Sequence, residues 1–310
     1  MVISRGLIRE TRPYYFASVA GPRPRDKSSL EYVARCEELF YIALENFHRC
    51  QILGVVLNED FAKLFLGLAD GIAPHLEGLK LESDYEFPTH LINKLIEKLS
   101  SFKNLRRLTW SLKPPWSNLS EASSALIKGP WSQLTHIELL CHISFECCLE
   151  ILSQSQQAVH IDINFISENS LCPVRNIIVL PTVKHLGLGS ESDVGDVLRH
   201  LSLPALRLLQ IFNRKLYPST RDYQSFGEFL TRSKCPLEEL IFTDIHYREH
   251  HIVGYLQIPQ LILIPVVTFS AEELSEERIF DLTKESENSA LILSRLRVHD
   301  GLVTVAASKS

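Results

Sequence analysis

The chain has 310 residues, 45% of them hydrophobic, and a formal net charge of −5. That length buries a large core, and the acidic balance argues against nucleic acid as a partner, because tracking phosphates takes a clustered basic excess. No apolar run approaches the roughly 18 residues that span a bilayer, and seven cysteines without a CxxC pair read as reduced core thiols, which together predict a cytoplasmic or nuclear protein without a membrane partner.

Residues 1–28 hold Pro13, Pro22 and Pro24 among Arg5, Arg9, Arg12, Arg23, Arg25 and Lys27. They sustain no period, lack the order of a signal peptide, and read as a poorly ordered arm; a basic docking arm is the sharper alternative. From 29 to 49, Leu30, Val33, Phe40, Tyr41, Leu44 and Phe47 share one helical face and predict a helix capping whatever follows.

From 50 to 302 one pattern recurs, an apolar residue followed at +3 and +5 by two more, which is the core of a leucine-rich repeat. Clear copies start at Leu76, Leu105, Leu134, Val183, Leu206 and Leu237, weaker ones at Cys50, Ala158, Ile258 and Leu293. Most successive starts lie roughly 20 to 29 residues apart, the spacing of that repeat class. In each unit the fourth and sixth positions fall on one side of an extended strand and point inward, while the third and fifth point outward.

The segments between strands show helical periodicity, as parallel crossovers require. Leu91, Ile92, Leu95, Ile96 and Leu99 form one stripe, Phe145, Cys148, Leu149 and Leu152 a second, and Val194, Val197, Leu198 and Leu201 a third. Ser190 with Asp193 and Ser270 with Glu273 have capping-box spacing. The fold class predicted is therefore α/β, a leucine-rich-repeat solenoid or horseshoe of about ten units with a concave parallel sheet and a helical or irregular convex side. Residues 303–310 read as a frayed tail.

The ninth position of a regular unit carries Asn or Cys to satisfy the turn after the strand. Here it is Asn58, Asp84, Lys113, His142, Ile166, Glu191, Arg214, Ile245, Val266 and Gly301. The turn ladder is missing after the first unit, which predicts an irregular solenoid.

Phrases such as Leu134-Thr135-His136-Ile137-Glu138-Leu139 and Cys235-Pro236-Leu237-Glu238-Glu239-Leu240 make residues 30–300 resemble the F-box/leucine-rich-repeat proteins of mushroom-forming, basidiomycete-type fungi. The resemblance implies that the repeats recruit a protein substrate to a cullin ubiquitin ligase. It implies docking on a Skp1-type adaptor only if an F-box is present, and nothing before Leu30 matches the Leu-Pro-x-Glu phrase that opens one.

Stacking the units in register aligns His136, His160 and His185 at position 3, with Glu138 and Asp162 beside them at position 5. Imidazoles and carboxylates are competent zinc ligands and can loosen an interface as pH falls. A flat row of parallel side chains is poor tetrahedral geometry, however, and His is also a tolerated polar residue at an exposed repeat position. These residues are therefore read as a protein-binding face without a metal or cofactor: Arg107, Thr109, His136, Glu138, His160, Asp162, His185 and Gln210, with Phe212 a candidate aromatic anchor. Ile241 and Ile262 at the same outward position predict an apolar surface farther along.

His246-Tyr247-Arg248-Glu249-His250 matches the H-x-x-E-H form of inverted zinc peptidases, but it falls in a connection read as too short for the helix that chemistry needs. Gly187-Leu188-Gly189 lacks the third glycine of a nucleotide fingerprint, and Glu272, Glu273, Glu276 and Glu277 read as a solvated helix face. The chain is thus expected to be a binding module and not an enzyme. A zinc hydrolase at 246–250 and a non-functional repeat relic are the alternatives.

Overall fold

Alternation of an inward apolar side chain with an outward one favours strand, and the computed structural model of the protein has strands at most of the repeat positions. It describes residues 16–19, 38, 41–42, 46–115, 119–167, 176–191, 193–213, 222–243, 249–270, 296–299 and 302–306. The chain divides into two compact units, Met1–Ile143 and Ser144–Ser310, each α/β.

In the first unit β1 (Phe16–Val19), β2 (Ile52–Val56), β3 (Gly78–Glu86), β4 (Arg107–Lys113) and β5 (His136–Ile143) pair in that order, all parallel. Their register sets Leu53, Leu79, Leu108 and Ile137 in one row and Val55, Leu81, Trp110 and Leu139 in the next. Both rows are buried, as are Leu76, Leu105 and Leu134 ahead of the strands. The crossovers are α1 (Glu59–Leu66), α2 (Thr89–Leu99) and α3 (Leu119–Leu126). Asn58 starts α1 by accepting the Phe61 amide at 2.8 Å, satisfying one donor that a helix start leaves open. The stripe read in α2 is the face it buries, and the rings of Phe47, Phe65 and Phe102 pack within 6.1 Å of one another.

The second unit holds β6 (His160–Ile166), β7 (Ile178–Val179), β8 (His185–Ser190), β9 (Leu201–Ser202), β10 (Leu208–Asn213), β11 (Glu239–Thr243), β12 (Val266–Ser270), β13 (Leu296–His299) and β14 (Leu302–Ala306). Strands β6, β8, β10, β11 and β12 are parallel neighbours in that order, and β7 pairs with β9 separately. Helix α4 (Phe145–Gln154) is capped by Ser144, which accepts the Cys147 amide at 3.2 Å, and it buries the expected Phe145, Cys148, Leu149 and Leu152. The short α5 (Gly195–Leu198), then α6 (Tyr223–Ser233) and α7 (Glu249–Leu256), complete the crossovers. Tyr223, Phe226, Phe242, Tyr255 and Phe269 pack as one aromatic cluster, with Phe242 and Phe269 stacked at 4.9 Å.

Several expectations change. The arm 1–28 contains β1, so it is structured at Phe16–Val19. Of the capping helix 29–49, Glu38, Tyr41 and Ile42 are helical and Phe47–Arg49 form a 3-10 turn; Leu30, Val33, Phe40 and Leu44 lie outside the described residues.

The unit placed at Ile258 starts instead at Ile264. Pro259–Leu263 are a 3-10 turn, and Ile264, Val267 and Phe269 are the buried triplet. Ile262 therefore leaves the outward row, and Thr268 occupies its place beside Ile241. The Leu293 unit does not extend the parallel order. Leu296–His299 pairs antiparallel with Leu302–Ala306, which pairs antiparallel with β12, so 303–306 are strand and not tail.

Ser190 is the last residue of β8 and does not cap a helix. Its hydroxyl donates to the Ile166 carbonyl at 3.3 Å, which also accepts the Glu191 amide at 3.0 Å, so hydroxyl and amide satisfy this turn in place of a ladder. Asp193 makes the helical start, its side chain accepting the Gly195 amide at 2.7 Å and the Asp222 amide at 2.8 Å. Ser270 closes β12, and its expected partner Glu273, with the rest of the acidic run, lies outside the described residues. No helix among the described residues is long and apolar enough to cross a membrane.

Candidate functional site

Side chains at the outward strand positions sit on a hydrogen-bonded sheet, so their Cα positions are fixed by the ladder and only their rotamers are free. In the first unit β4 and β5 place Arg107 opposite His136 and Thr109 opposite Glu138. The Thr109 hydroxyl donates to Glu138 Oε2 at 2.9 Å, and Thr135 Oγ1 lies 2.9 Å from His136 Nδ1. Arg107 is exposed, while Thr109, His136 and Glu138 are half-buried. This patch carries mixed charge and two held acceptors, a surface suited to polar contacts.

In the second unit the third-position row runs His160, His185, Leu208, Glu239, and the fifth-position row Asp162, Gly187, Gln210, Ile241. The flat row expected from sequence is not what forms. Gly187 leaves a gap in the fifth-position row, and the Asp162 carboxylate leans across it; a Cβ at 187 would overlap Asp162 Oδ1. His160 Nε2 lies 2.8 Å from Asp162 Oδ2, and His185 Nε2 lies 3.4 Å from Asp162 Oδ1. The two imidazoles stack with centroids 4.0 Å apart.

Asp162 Oδ1 and His185 Nε2 are buried atoms and form no hydrogen bond among the described residues. Burial acts to raise the Asp162 pKa, but the imidazoles of His160 and His185 outweigh it and hold the carboxyl well below the ordinary carboxylate range. It is ionised throughout the neutral range.

Gln210 and Phe212 lie on β10, half-buried, with Gln210 between Gly187 and Ile241 and Phe212 between Gly189 and Thr243. Of the nine candidate residues the structure thus brings together His160, Asp162 and His185, with Gln210 in the same row, and separately Arg107, Thr109, His136 and Glu138.

In the H-x-x-E-H segment His246 lies outside the described residues. Glu249 and His250 open α7, so the connection does hold a helix.

A network not read from sequence lies at the start of α6. Arg199 donates from Nε to Ser225 Oγ at 2.6 Å and pairs with Asp222, whose Oδ1 accepts the Ser225 amide at 3.0 Å. Asp193 and Asp222 before helical stretches were its only sequence signal. No known family model matches the chain, and no curated protein matches its sequence.

Proposed function

We propose that the chain is a leucine-rich-repeat solenoid or horseshoe whose outward strand face binds a protein, as the substrate-recognition half of an F-box protein does. The observation that supports this reading most is the register. Outward positions align from strand to strand within each sheet, giving rows of polar and charged side chains on a backbone that needs no ordering to bind. Arg107, Thr109, His136 and Glu138 supply hydrogen bonds and charge, Gln210 supplies an amide, and Phe212, opposite Thr243 on the next strand, supplies apolar area of the sort that anchors interfaces. In this reading the protein is a binding module of the cytoplasm or nucleus, not an enzyme, and a Skp1-type adaptor joins it only through an F-box.

The test is capture from a native lysate by the immobilised full chain, in parallel with an Arg107→Glu, Gln210→Ala, Phe212→Ala variant shown by circular dichroism to be folded. A protein held by the parent chain and lost from the variant supports the reading. Identical captured proteins on both baits, or none on either, refute it. Recovery of the adaptor by both baits would locate ligase docking away from the strand face.

A further inference from the structure

We propose that His160, Asp162 and His185 bind a divalent transition-metal ion, with zinc the best match to the donor set. The proposal does not depend on the protein-binding reading.

One donor atom from each of the three residues lies within 4.8 Å of the others, and no other such group of His, Cys, Asp or Glu occurs among the described residues. Zinc bonds of about 2.0–2.2 Å to nitrogen and oxygen set tetrahedral donors roughly 3.4 Å apart. The 3.4 Å between His185 Nε2 and Asp162 Oδ1 has that spacing. It is too long to be a good hydrogen bond, and both atoms are buried without a hydrogen-bond partner. Buried polar atoms are nearly always satisfied, and an ion between the two would satisfy both.

The donors are also held. His160 and His185 occupy paired positions on adjacent strands, and Asp162 lies on the strand of His160. Gly187 opens the space that lets the carboxylate approach His185. Each donor side chain stays about a quarter exposed, at 25% for both histidines and 23% for Asp162, so the cluster lies near the surface, and three protein ligands would leave a fourth coordination position for water. Two imidazoles and a carboxylate suit zinc, copper or nickel better than calcium or magnesium, which take oxygen ligands.

The experiment uses the full chain stripped with a chelator, titrated with Zn²⁺ against a chromophoric chelator and, separately, with Co²⁺ followed by visible absorption. The parent chain should take up one equivalent and give a Co²⁺ spectrum of nitrogen and oxygen donors. His160→Gln, Asp162→Asn and His185→Gln should each weaken binding by more than the roughly 10- to 100-fold that loss of an outer-shell partner costs.

Undiminished affinity in the three variants, absence of uptake by the parent chain, or thiolate charge-transfer bands showing cysteine ligands would each overturn the proposal. If a variant fails to fold by circular dichroism, the Co²⁺ spectrum of the parent chain decides.

Discussion

The absence of a side chain at Gly187 leaves the space that the Asp162 carboxylate occupies. Glycine in a strand interior ordinarily costs about 0.5–1 kcal/mol relative to alanine, so Gly187→Ala at an open site would stabilise. Here the added Cβ overlaps Asp162 Oδ1. We expect the substitution to destabilise instead, by the roughly 1–3 kcal/mol of an overpacked site, read from the urea midpoint at unchanged m value. A stabilised variant would show that Asp162 moves aside at no cost.

The second residue-scale prediction concerns Asp222. Burial raises its pKa, but the Ser225 hydrogen bonds and Arg199 outweigh that and lower it. A carboxyl depressed on folding contributes stability above its unfolded value, near 4, and loses it as pH falls through the folded value. Asparagine caps a helix about as well as aspartate, so Asp222→Asn removes the charge and keeps the cap. Its stability deficit against the parent chain should be present at pH 7 and shrink as urea unfolding is repeated below about pH 4. A deficit that persists unchanged in acid would mean the loss is geometric. Arg199 is half exposed, so solvent screening keeps the effect small.

The three clustered side chains were legible as residues two apart on one strand and aligned on the next. Their convergence was not, because it depends on the gap beside Asp162, and a glycine within a nucleotide-like Gly-x-Gly phrase gives no sign of what fills its space.

Elements were legible where periodicity and burial agree, as in α2 and α4, and misplaced where two frames compete. Ile258-x-x-Leu261-x-Leu263 and Ile264-x-x-Val267-x-Phe269 both fit the apolar triplet. Pro259 at the first turn position favours a helical turn there, and the β-branched Val266, Val267 and Thr268 favour strand in the second frame. Those local preferences decide the outcome.

Ser190 shows a different limit: a serine three residues before an acid is a cap only if the strand has already ended, and β8 runs through it. The C-terminus of α6 offers an element-scale test. Lys234 closes it in the left-handed region at φ 47°, donating its amide to the Leu230 carbonyl at 3.0 Å. A side chain there costs strain that glycine avoids. Lys234→Gly should therefore stabilise by about 0.5–1 kcal/mol, raising the urea midpoint. A lowered midpoint would mean that the lysine side chain makes contacts worth more than the strain.

For the molecule as a whole, the order of the repeat strands within each unit was readable, β1 and the β7–β9 pair apart, because one repeated triplet generates one repeated crossover. The antiparallel end of the second unit was not, since Leu293-x-x-Leu296-x-Val298 has the apolar spacing of a parallel unit and nothing in that spacing encodes strand direction. The hairpin of β13 and β14 has a physical consequence. A parallel sheet ending at β12 would present an unpaired row of amides and carbonyls over apolar residues, and such an edge recruits strands from other molecules. β14 covers it, pairing Val267 with Val305 and Phe269 with Val303. A chain shortened to residues 1–295 removes both hairpin strands and leaves that edge open. It should self-associate with a steeper concentration dependence than the full chain when the two are compared by size-exclusion chromatography with light scattering. Replacing Thr268 with lysine in the shortened chain should reverse part of the effect, because a charge on an exposed edge opposes strand addition. If the shortened chain and the full chain elute alike at every concentration, the hairpin is not what protects this edge.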